Sequence, residues 1–413
     1  MYEFGEEEVE AVAKVIRSGN VFRYDIGDQC ETFERRYAQY LDIKHVALAA
    51  SGSNALTAAV IALGLGPGDE VLVPAHTYMA TAMAVLAAGA IPVIVDIDES
   101  LTISPQAIDD AVGPQTRAVI PVHMWGVVCD MDAIMTVAKK RNLCVLEDAC
   151  QCVGGSYEGR KIGTIGDMGA FSFNYYKNMA SGEGGGVVTN DAELARRAKC
   201  VIDPCHYYWS GRDEDFKPFA SDGARATELM GAMLNVQLDR LPGIIDAMRT
   251  QKKKVLANTR HLAEIGLVPA PTHSLDFECG AHVMYTFESP DMASRFVEIQ
   301  PGVIAGNTGR HNYVEWDQVL TGQGAFHPLM NPYAMPANRP CRRTYSKDMC
   351  AGSLDILNRT VMIPTDPKHT EADTARMIRN IEAAAKITFG HDDGGKVEVN
   401  ETLAMDTTKY DSH

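Results

Sequence analysis

This sequence of 413 residues is short of positive charge and contains no long apolar run. Its 38 lysines and arginines stand against 54 aspartates and glutamates, and the formal net charge of −16 disfavours nucleic acid as a partner. No apolar run approaches the ~18 residues that a membrane-spanning helix needs, so we expect no membrane partner. The opening stretch MYEFGEEEVEAVAKVIRSGN is acidic and does not resemble a secretion signal. We therefore expect a cytoplasmic protein.

The sequence also lacks the cysteine spacing of a disulfide framework or a metal site. Its ten cysteines are spread along the chain, and several, such as Cys144, lie inside apolar runs. This is typical of buried thiols in a reducing compartment. Cys150 and Cys152 flank Gln151, but no second ligand pair follows at a suitable spacing. We expect no metal.

What the sequence does contain is an alternation of apolar runs and helical patterns between about residues 45 and 200. Strand-like runs are HVALAA, DEVLVPA, IPVIVDI, RAVIPVHM and CVLEDA, and helical patterns lie between them. Near-continuous apolar strands with intervening helices predict a parallel sheet covered on both faces. We expect a large α/β domain at 1–250, a smaller C-terminal α/β domain at 251–390 and an acidic tail at 391–413.

In such sheets, ligands bind beyond the carboxyl ends of the strands. Ser51, Gly52 and Ser53 follow a strand and open a helix, where backbone N–H groups and the helix dipole favour an anion such as phosphate. The alternative is an ordinary turn in which Ser53 is only the N-cap. Further along, CVLEDA ends on Glu147 and Asp148, one of which should face a core or a cleft. A simple N-cap aspartate is the alternative there.

Lys177 lies in FSFNYYKNMASGEGGGVVTND, between aromatic residues and a glycine cluster. A lysine that is desolvated in a cleft can lose its proton and act as an amine nucleophile, although most lysines lie on the surface. Ser172, just before it, could reach the same anion as the first glycine turn. An anion cradle, a carboxylate and a cleft lysine are together what pyridoxal phosphate (PLP) requires, and Tyr78 would offer a ring to stack on it.

The motifs SGSNAL, GDEVLVPAHTYMATAMAV, LEDACQCVGGSYEGRKIGTIGDMGAFSF and KNMASGEGGGVVTND resemble the DegT/StrS family of PLP-dependent sugar aminotransferases. The resemblance covers about residues 5 to 390 and implies PLP-dependent transferase fold type I, with a mostly parallel seven-stranded sheet. Within the family, GNVFRYD and PVHMWGVVCDMDAI are most similar to the branch that makes 8-amino-3,8-dideoxy-octulosonate. The resemblance also implies a homodimer with shared active sites, a sugar acceptor, and glutamate or glutamine as amino donor.

The resemblance further implies individual roles. Lys177 would be the Schiff-base lysine and Asp148 the partner of the pyridinium nitrogen. The remaining cofactor-binding residues would be Gln151 at the ring hydroxyl, Tyr78 stacking on the ring, and Gly52, Ser53 and Ser172 at the phosphate. One departure stands out, because SDGARATE has Gly223 where the family has an asparagine that reaches the phosphate of the partner subunit.

Substrate contacts are expected from two stretches that are individual to this chain. DPCHYYWSGRDEDF offers His206 and Trp209, unless it is only a surface loop, and GNTGRHNYVEW offers Arg310 and His311. Against the acidic background, an anionic acceptor would need local cations. The candidates are Arg23, Arg212, Arg225 and Arg310, with pairing to neighbouring acids such as Asp25, Asp213 and Glu228 as the alternative.

Different functions on this fold are compatible with the sequence. A pyridoxamine-dependent sugar dehydratase is disfavoured, because such relatives lack the Schiff-base lysine. An aminocyclitol aminotransferase remains open, and so does a non-catalytic sensor that keeps the cofactor.

Overall fold

The computed structural model describes residues 3–24, 26–211 and 215–391. The predicted acidic tail beyond His391, and Arg212 with Asp213 and Asp25, lie outside these ranges. The strands are β1 (His45–Ala49), β2 (Glu70–Pro74), β3 (Ile91–Val95), β4 (Thr116–Val119), β5 (Cys144–Asp148), β6 (Ser156–Tyr157), β7 (Arg160–Lys161), β8 (Met168–Ser172), β9 (Gly185–Thr189), β10 (Val268–Pro269), β11 (His282–Thr286), β12 (Val303–Ile304) and β13 (Thr360–Pro364).

Helices cover the sheets and connect the strands. The α-helices are α1 (Glu6–Ser18), α2 (Gln29–Leu41), α3 (Gly52–Ala62), α4 (Ala80–Ala87), α5 (Pro105–Ala111), α6 (Met131–Arg141), α7 (Ala192–Ile202), α8 (His206–Ser210), α9 (Glu228–Thr259), α10 (Pro290–Val297), α11 (Asp317–Leu320), α12 (Ala351–Asn358) and α13 (Glu371–Thr388). In the described part of the chain, none of them combines the length and the apolar character needed to cross a bilayer.

A seven-stranded sheet forms the centre of the molecule, in the order β1-β9-β8-β5-β4-β2-β3. Only β9 runs against its neighbours, pairing antiparallel with β1 and β8, while the other pairs are parallel. The predicted α/β class with a mostly parallel sheet is confirmed. The strands β2, β3, β8 and β9 are buried along their whole length, which explains why they appear as continuous apolar runs.

Local sequence signals set most helix starts. The α5 helix begins with the Ser104 hydroxyl accepting from the backbone N–H of Ala107 and a proline in the first turn. For α3, however, the N-cap is Ser51, whose hydroxyl accepts from the N–H of Asn54 at 3.1 Å. The interpretation of Ser53 as the cap was therefore wrong, and Ser53 lies exposed in the first turn.

One strand glycine decides how closely two segments approach each other. A Cβ on Gly185 of β9 would lie 2.3 Å from the carbonyl oxygen of Ser51 and 2.6 Å from the amide nitrogen of Gly52. Contacts this short between non-bonded atoms do not occur, so only glycine lets β9 pass beneath the start of α3.

We expect Gly185→Ala to lower the free energy of unfolding by about 1–3 kcal/mol and to weaken anion binding at the start of α3. The matched control is Gly186→Ala in the same strand, because its Cβ would meet its nearest atom at 3.4 Å. Chemical denaturation and phosphate titration of both variants measure the two effects. Equal behaviour of the two variants would contradict this interpretation.

The second sheet has four strands in the order β10-β11-β13-β12, all paired antiparallel. It packs around a separate core that includes Val255, Phe296 and Ile381. The α9 helix joins the two regions as one continuous helix of 32 residues, so the expected boundary at residue 250 falls within a helix. The apolar face of α9 packs against α1 and α2 inside the chain.

Candidate active site

The carboxyl ends of β1, β5 and β8 meet at the start of α3. A Cβ on Gly52 would lie 2.7 Å from Cβ of Ser172 and 3.2 Å from Sγ of Cys150. The predicted phosphate-binding residues Gly52 and Ser172 are therefore in close contact, with Cys150 beside them. The backbone N–H groups of Gly52 and Ser53 donate to no other group in the described part of the chain. First-turn amides of this kind, together with a nearby serine hydroxyl, form a site for a phosphate or another anion.

Asp148 ends β5 and is almost fully buried, with 4% of its surface exposed. Its Oδ2 accepts from the Thr81 hydroxyl at 2.8 Å, and its Oδ1 accepts from the backbone N–H of Cys150 at 3.1 Å. The Thr81 hydroxyl lies 2.8 Å from that of Thr77. These bonds hold a buried carboxylate in one orientation. No helix begins between Asp148 and β6, so Asp148 is not a helix N-cap.

Glu147 points to the other side of β5 and has a purely structural set of partners. Its two carboxylate oxygens accept from the backbone N–H groups of Gly163, Ile165 and Gly166 at 2.6–2.7 Å. Nε2 of His123 lies 3.1 Å from its Oε2. Because these four groups saturate the carboxylate inside the core, Asp148 alone is left to face the cleft.

Lys177 is half-buried in the loop between β8 and β9, and its backbone N–H donates to the carbonyl of Asn174 at 2.9 Å. Its side-chain nitrogen makes no hydrogen bond or ion pair within the described residues. Burial lowers the pKa of the Lys177 amine, while the nearby Cys150 and Asp148 oppose that shift. Partial burial distinguishes Lys177 from a lysine on a fully solvated face, and a lowered pKa favours the uncharged amine, which is the nucleophilic form.

Tyr78 lies one helical turn before Thr81 with 37% of its surface exposed, and residues from the distant C-terminal part of the chain contact its ring. The guanidinium of Arg310 lies 5.6 Å from the centre of the Tyr78 ring, and the His311 ring lies 5.5 Å from it. The backbone holds them there, because Thr77 N–H donates to the carbonyl of His311 and Met79 N–H to that of Arg310. Burial lowers the pKa of His311, and the positive charge of the nearby Lys177 lowers it further. His311 and Lys177 therefore lie in the same region.

His206 and Trp209 lie together on α8. The Trp209 ring stacks on Tyr24 at 6.1 Å and meets Phe22 edge-on at 5.4 Å, and more than half of Trp209 is exposed. Nδ1 of His206 lies 3.2 Å from the carbonyl oxygen of Asp203. The α8 helix thus lies at the surface, where Trp209 packs on the aromatic residues of the segment 22–24.

The predicted cations separate into different roles. Arg23 donates to both oxygens of Glu34 at 2.7 Å in a buried ion pair, so the expectation that it meets an acceptor was wrong. Arg225 lies over the Phe22 ring and 3.7 Å from Asp203. Arg310 is therefore the predicted arginine that the described structure brings to Tyr78.

Sequence reasoning missed two groups. Thr81 lies one helical turn beyond Tyr78 in a motif already singled out, and a hydroxyl at the start of α4 is the signal that could have found it. Trp125 packs against His311 at 5.3 Å, but nothing in its own stretch distinguishes it from a core residue.

Residues 3–298 match the sequence model of the DegT/DnrJ/EryC1/StrS aminotransferase family, which is more than two thirds of the chain. The chain belongs to this family. It is therefore an enzyme, a transaminase of a PLP-dependent family that makes amino sugars. The resemblance to the octulosonate branch of the family is not confirmed, because the names of the relatives refer to other sugars and to a cyclitol.

Two relatives and one solved structure illustrate the family match. GDP-perosamine synthase of Caulobacter vibrioides is 33% identical over 361 residues, which cover 85% of this chain and 88% of that protein. L-glutamine:2-deoxy-scyllo-inosose aminotransferase of Streptoalloteichus tenebrarius is 37% identical over 306 residues, 69% of each. The aminotransferase structure from Psychrobacter cryohalolentis is 25% identical with a TM-score of 0.77, covering 92% of this chain and 96% of that one.

The side chains of this DegT/DnrJ/EryC1/StrS protein fit PLP. Free amides beside Ser172 suit its phosphate, the buried carboxylate of Asp148 suits a pyridinium nitrogen, and the amine of Lys177 suits its aldehyde. Gly223, at the position of the family asparagine, has φ of +84°, and a Cβ there would meet its nearest atoms at 3.8 Å, an ordinary van der Waals contact. Asparagine is among the residues that tolerate such an angle, so the backbone there keeps a conformation that the family residue could adopt.

Three histidines around this site make the protein sensitive to acid, of which His76 is fully buried and His282 and His311 are partly buried. Burial lowers the pKa of His76 and His282 to about 4 and that of His311 to about 3. Below pH ~6.5 the unfolded chain takes up protons at these rings, and the folded chain does not. Stability is therefore full above that pH and falls as the pH drops, by about 3 kcal/mol at pH 4 for His76 alone.

Urea denaturation at pH 7, 5.5 and 4.5 measures this loss. The variant His76→Phe should lose less stability on acidification than the wild type, whereas His261→Gln, at an exposed position, should lose as much. A free energy of unfolding that stays constant down to pH 4.5 would show that the folded protein binds these protons.

Proposed function

We propose that the protein transfers an amino group from glutamate or glutamine to a keto or aldehyde sugar, through a Schiff base between PLP and Lys177. One observation carries this proposal. A half-buried lysine of lowered pKa shares a cleft with a buried aspartate that Thr81 holds in place, at the carboxyl ends of adjacent strands β5 and β8. Paired groups of this kind at a strand edge are typical of a catalytic site.

Each side chain has a task in this proposal. When bound, PLP supplies an electron sink for the charge that develops as a substrate C–H bond breaks. Asp148 would hold a proton on the pyridine nitrogen, while the amides of Gly52 and Ser53 with Ser172 would bind the phosphate. Once it is released from the Schiff base, Lys177 would act as general acid and base. It would take up the proton of the substrate C–H bond that breaks.

Tyr78 would form the wall on which the cofactor ring stacks, and Gln151 would bind the ring hydroxyl. Arg310 and His311 contact Tyr78, and Trp125 packs against His311, so these side chains would line the same side of the site. His206 and Trp209 would contact the more distant part of the acceptor.

The acceptor we propose is a sugar that carries an anionic group, either a carboxylate, as in an octulosonate, or a nucleotide diphosphate. Support comes from Arg310 at the cleft and from the relatives, since the name of one is GDP-perosamine synthase. The second candidate is an aminocyclitol precursor. The relative named L-glutamine:2-deoxy-scyllo-inosose aminotransferase favours it and also favours glutamine as the donor.

A screen of amino donors against acceptors tests the function. The PLP-loaded protein should absorb in the visible, and that band should bleach when a competent donor leaves its amine on the cofactor. Addition of the correct keto sugar should restore the band, with one amino sugar formed per cycle. A protein that keeps its band with every amino acid would be a sensor, and one that releases water from a sugar would be a dehydratase.

Arg310→Gln tests the anionic acceptor. We expect the KM of the acceptor to rise about tenfold or more, because a charge-assisted hydrogen bond is lost. The wild-type KM should also rise with salt, since screening acts over roughly 10 Å at 0.1 M, and the variant should lose that dependence. Arg160→Gln, which breaks a surface pair with Asp132, is the control. A KM indifferent to both salt and Arg310 would indicate a neutral acceptor.

We further propose a homodimer whose subunits share their active sites. The apolar face of α9 is buried inside the chain and does not offer an interface. A better surface is the segment 326–330, where Phe326 is 100% and Leu329 84% exposed. Sedimentation equilibrium of the wild type and of Leu329→Lys measures the assembly. A monomer that is fully active at nanomolar concentration would contradict the shared site.

A further inference from the structure

Trp125 holds a backbone conformation that a bulky residue rarely adopts. It follows β4 with φ of 48° and ψ of 39°, in the left-handed region. Such a conformation costs about 1–2 kcal/mol and persists only where the surroundings fix it. Here Gly126 N–H donates to the carbonyl of Gln151 at 2.9 Å, and Nδ1 of His282 donates to the carbonyl of Trp125 at 3.0 Å. The chain therefore holds this indole at the cleft at an energetic cost.

Three histidines surround the indole in one shared arrangement. Their ring centres lie 4.8 Å (His76), 5.3 Å (His311) and 6.2 Å (His282) from that of Trp125. In each, Nδ1 lies 3.0 Å from a backbone carbonyl oxygen, which can only accept. The proton of each neutral ring is therefore on Nδ1, and Nε2 carries a lone pair. The lowered pKa values keep all three rings uncharged at neutral pH.

Polar atoms of this cluster lack internal partners. Nε2 of His76 is fully buried and has no hydrogen-bond partner among the described residues. The indole N–H of Trp125 and Nε2 of His311 also have no partner there, but unlike Nε2 of His76 they are not sealed from solvent. No group of three or more histidine, cysteine, aspartate or glutamate side chains in the described chain could hold a metal. The indole N–H and the His311 nitrogen are thus available to a ligand that both accepts and donates hydrogen bonds.

We infer that Trp125, with His311, binds hydroxyl groups of the sugar acceptor. A hydroxyl can accept from the indole N–H and donate to a histidine Nε2, and the uncharged cluster suits a polyol rather than a carboxylate or phosphate. The indole face also packs against the C–H groups of a sugar. Arg310 then takes the anionic end and this cluster the hydroxylated chain. The inference rests on the proposed sugar aminotransferase function and specifies the part of the substrate that the cleft recognises.

Two amines of equal carbon-chain length test it in the PLP-loaded protein. Glucamine (1-amino-1-deoxy-D-glucitol) carries hydroxyl groups along its chain, and hexylamine carries none. Each displaces Lys177 from its Schiff base and changes the visible spectrum, so titration gives an apparent Kd without turnover. The wild type should prefer glucamine. Trp125→Phe, which keeps a ring and removes the N–H, should reduce that preference about threefold to tenfold, the range for one uncharged hydrogen bond.

The remaining outcomes are distinguishable. His311→Phe keeps a ring beside Tyr78 and removes an acceptor nitrogen, so it should also lose the preference for glucamine. This variant provides the test if Trp125→Phe does not fold. Equal binding of both amines by the wild type, or an unchanged preference in the variants, overturns the inference and leaves the aminotransferase proposal standing. A wild type that forms no Schiff base before any amine is added overturns both.

Discussion

Lys177→Ala should abolish turnover, with a loss of about 10⁴-fold or more, because the variant has neither the amine nucleophile nor the general acid and base. Folding should be intact, since the substitution removes an amine that burial already disfavours in its charged form. Borohydride reduction of the PLP-loaded wild type, followed by peptide mapping, should place the pyridoxyl group on Lys177. The variant should bind PLP without a covalent bond.

Lys161 provides the matched control. Burial also lowers the pKa of Lys161, and its amine lies 4.0 Å from the ring centre of Tyr40, but it is outside the cleft. Lys161→Ala should keep its turnover within about twofold of the wild type, the effect expected of a remote substitution. A pyridoxyl label on Lys161 or any lysine other than Lys177 would remove the centre of the proposal.

Asp148→Asn should lower kcat by about a hundredfold, the equivalent of about 3 kcal/mol for one buried charge-assisted hydrogen bond. An asparagine amide cannot hold a proton on the pyridine nitrogen, so the electron sink is weakened. The fold should change little, because the amide oxygen can still accept from the N–H of Cys150 while the amide nitrogen donates to the Thr81 hydroxyl, which can also accept. Single-turnover kinetics with a saturating donor separates this loss from any loss of binding.

Glu147→Gln is the neighbouring control with the opposite pattern. Its carboxylate accepts from three backbone amides and faces His123, so an amide group there leaves buried donors unpaired. The free energy of unfolding should fall by about 1–3 kcal/mol per unpaired donor, while the folded fraction keeps near-normal kcat. If Asp148→Asn kept wild-type turnover and Glu147→Gln lost it, the two roles would be reversed.

The sequence was sufficient wherever the determining forces are local. Strand runs such as CVLEDA and IPVIVDI, and the Ser104 start of α5, are visible in the sequence because burial and capping act on neighbouring residues. The parallel sheet followed from the strand–helix alternation. Its carboxyl edge then narrowed the candidates to the region that contains Asp148 and Lys177. The antiparallel β9 was not foreseen, because strand order depends on pairing between distant segments.

The sequence could not decide between residues of the same chemical type, and only the tertiary structure showed which of them has which partner. Period-two alternation places Glu147 and Asp148 on opposite faces of β5, but only the 163–166 loop and Thr81 decide which face is core and which is cleft. In the same way, Arg23 is neutralised by Glu34, although its nearest acid in sequence is Asp25. Long-range packing sets these partners, and no local pattern encodes it.

The cleft itself is the clearest case of this division. The sequence by itself determined the chemical types, namely an amine, a carboxylate and an anion-binding helix start, because each type follows from its residue and its place at a strand end. Only the folded chain could bring Arg310 and His311 against Tyr78 and hold Trp125 in a strained turn beside His311. These contacts join segments that are far apart in sequence, and their geometry arises from the packing of the second sheet on the first.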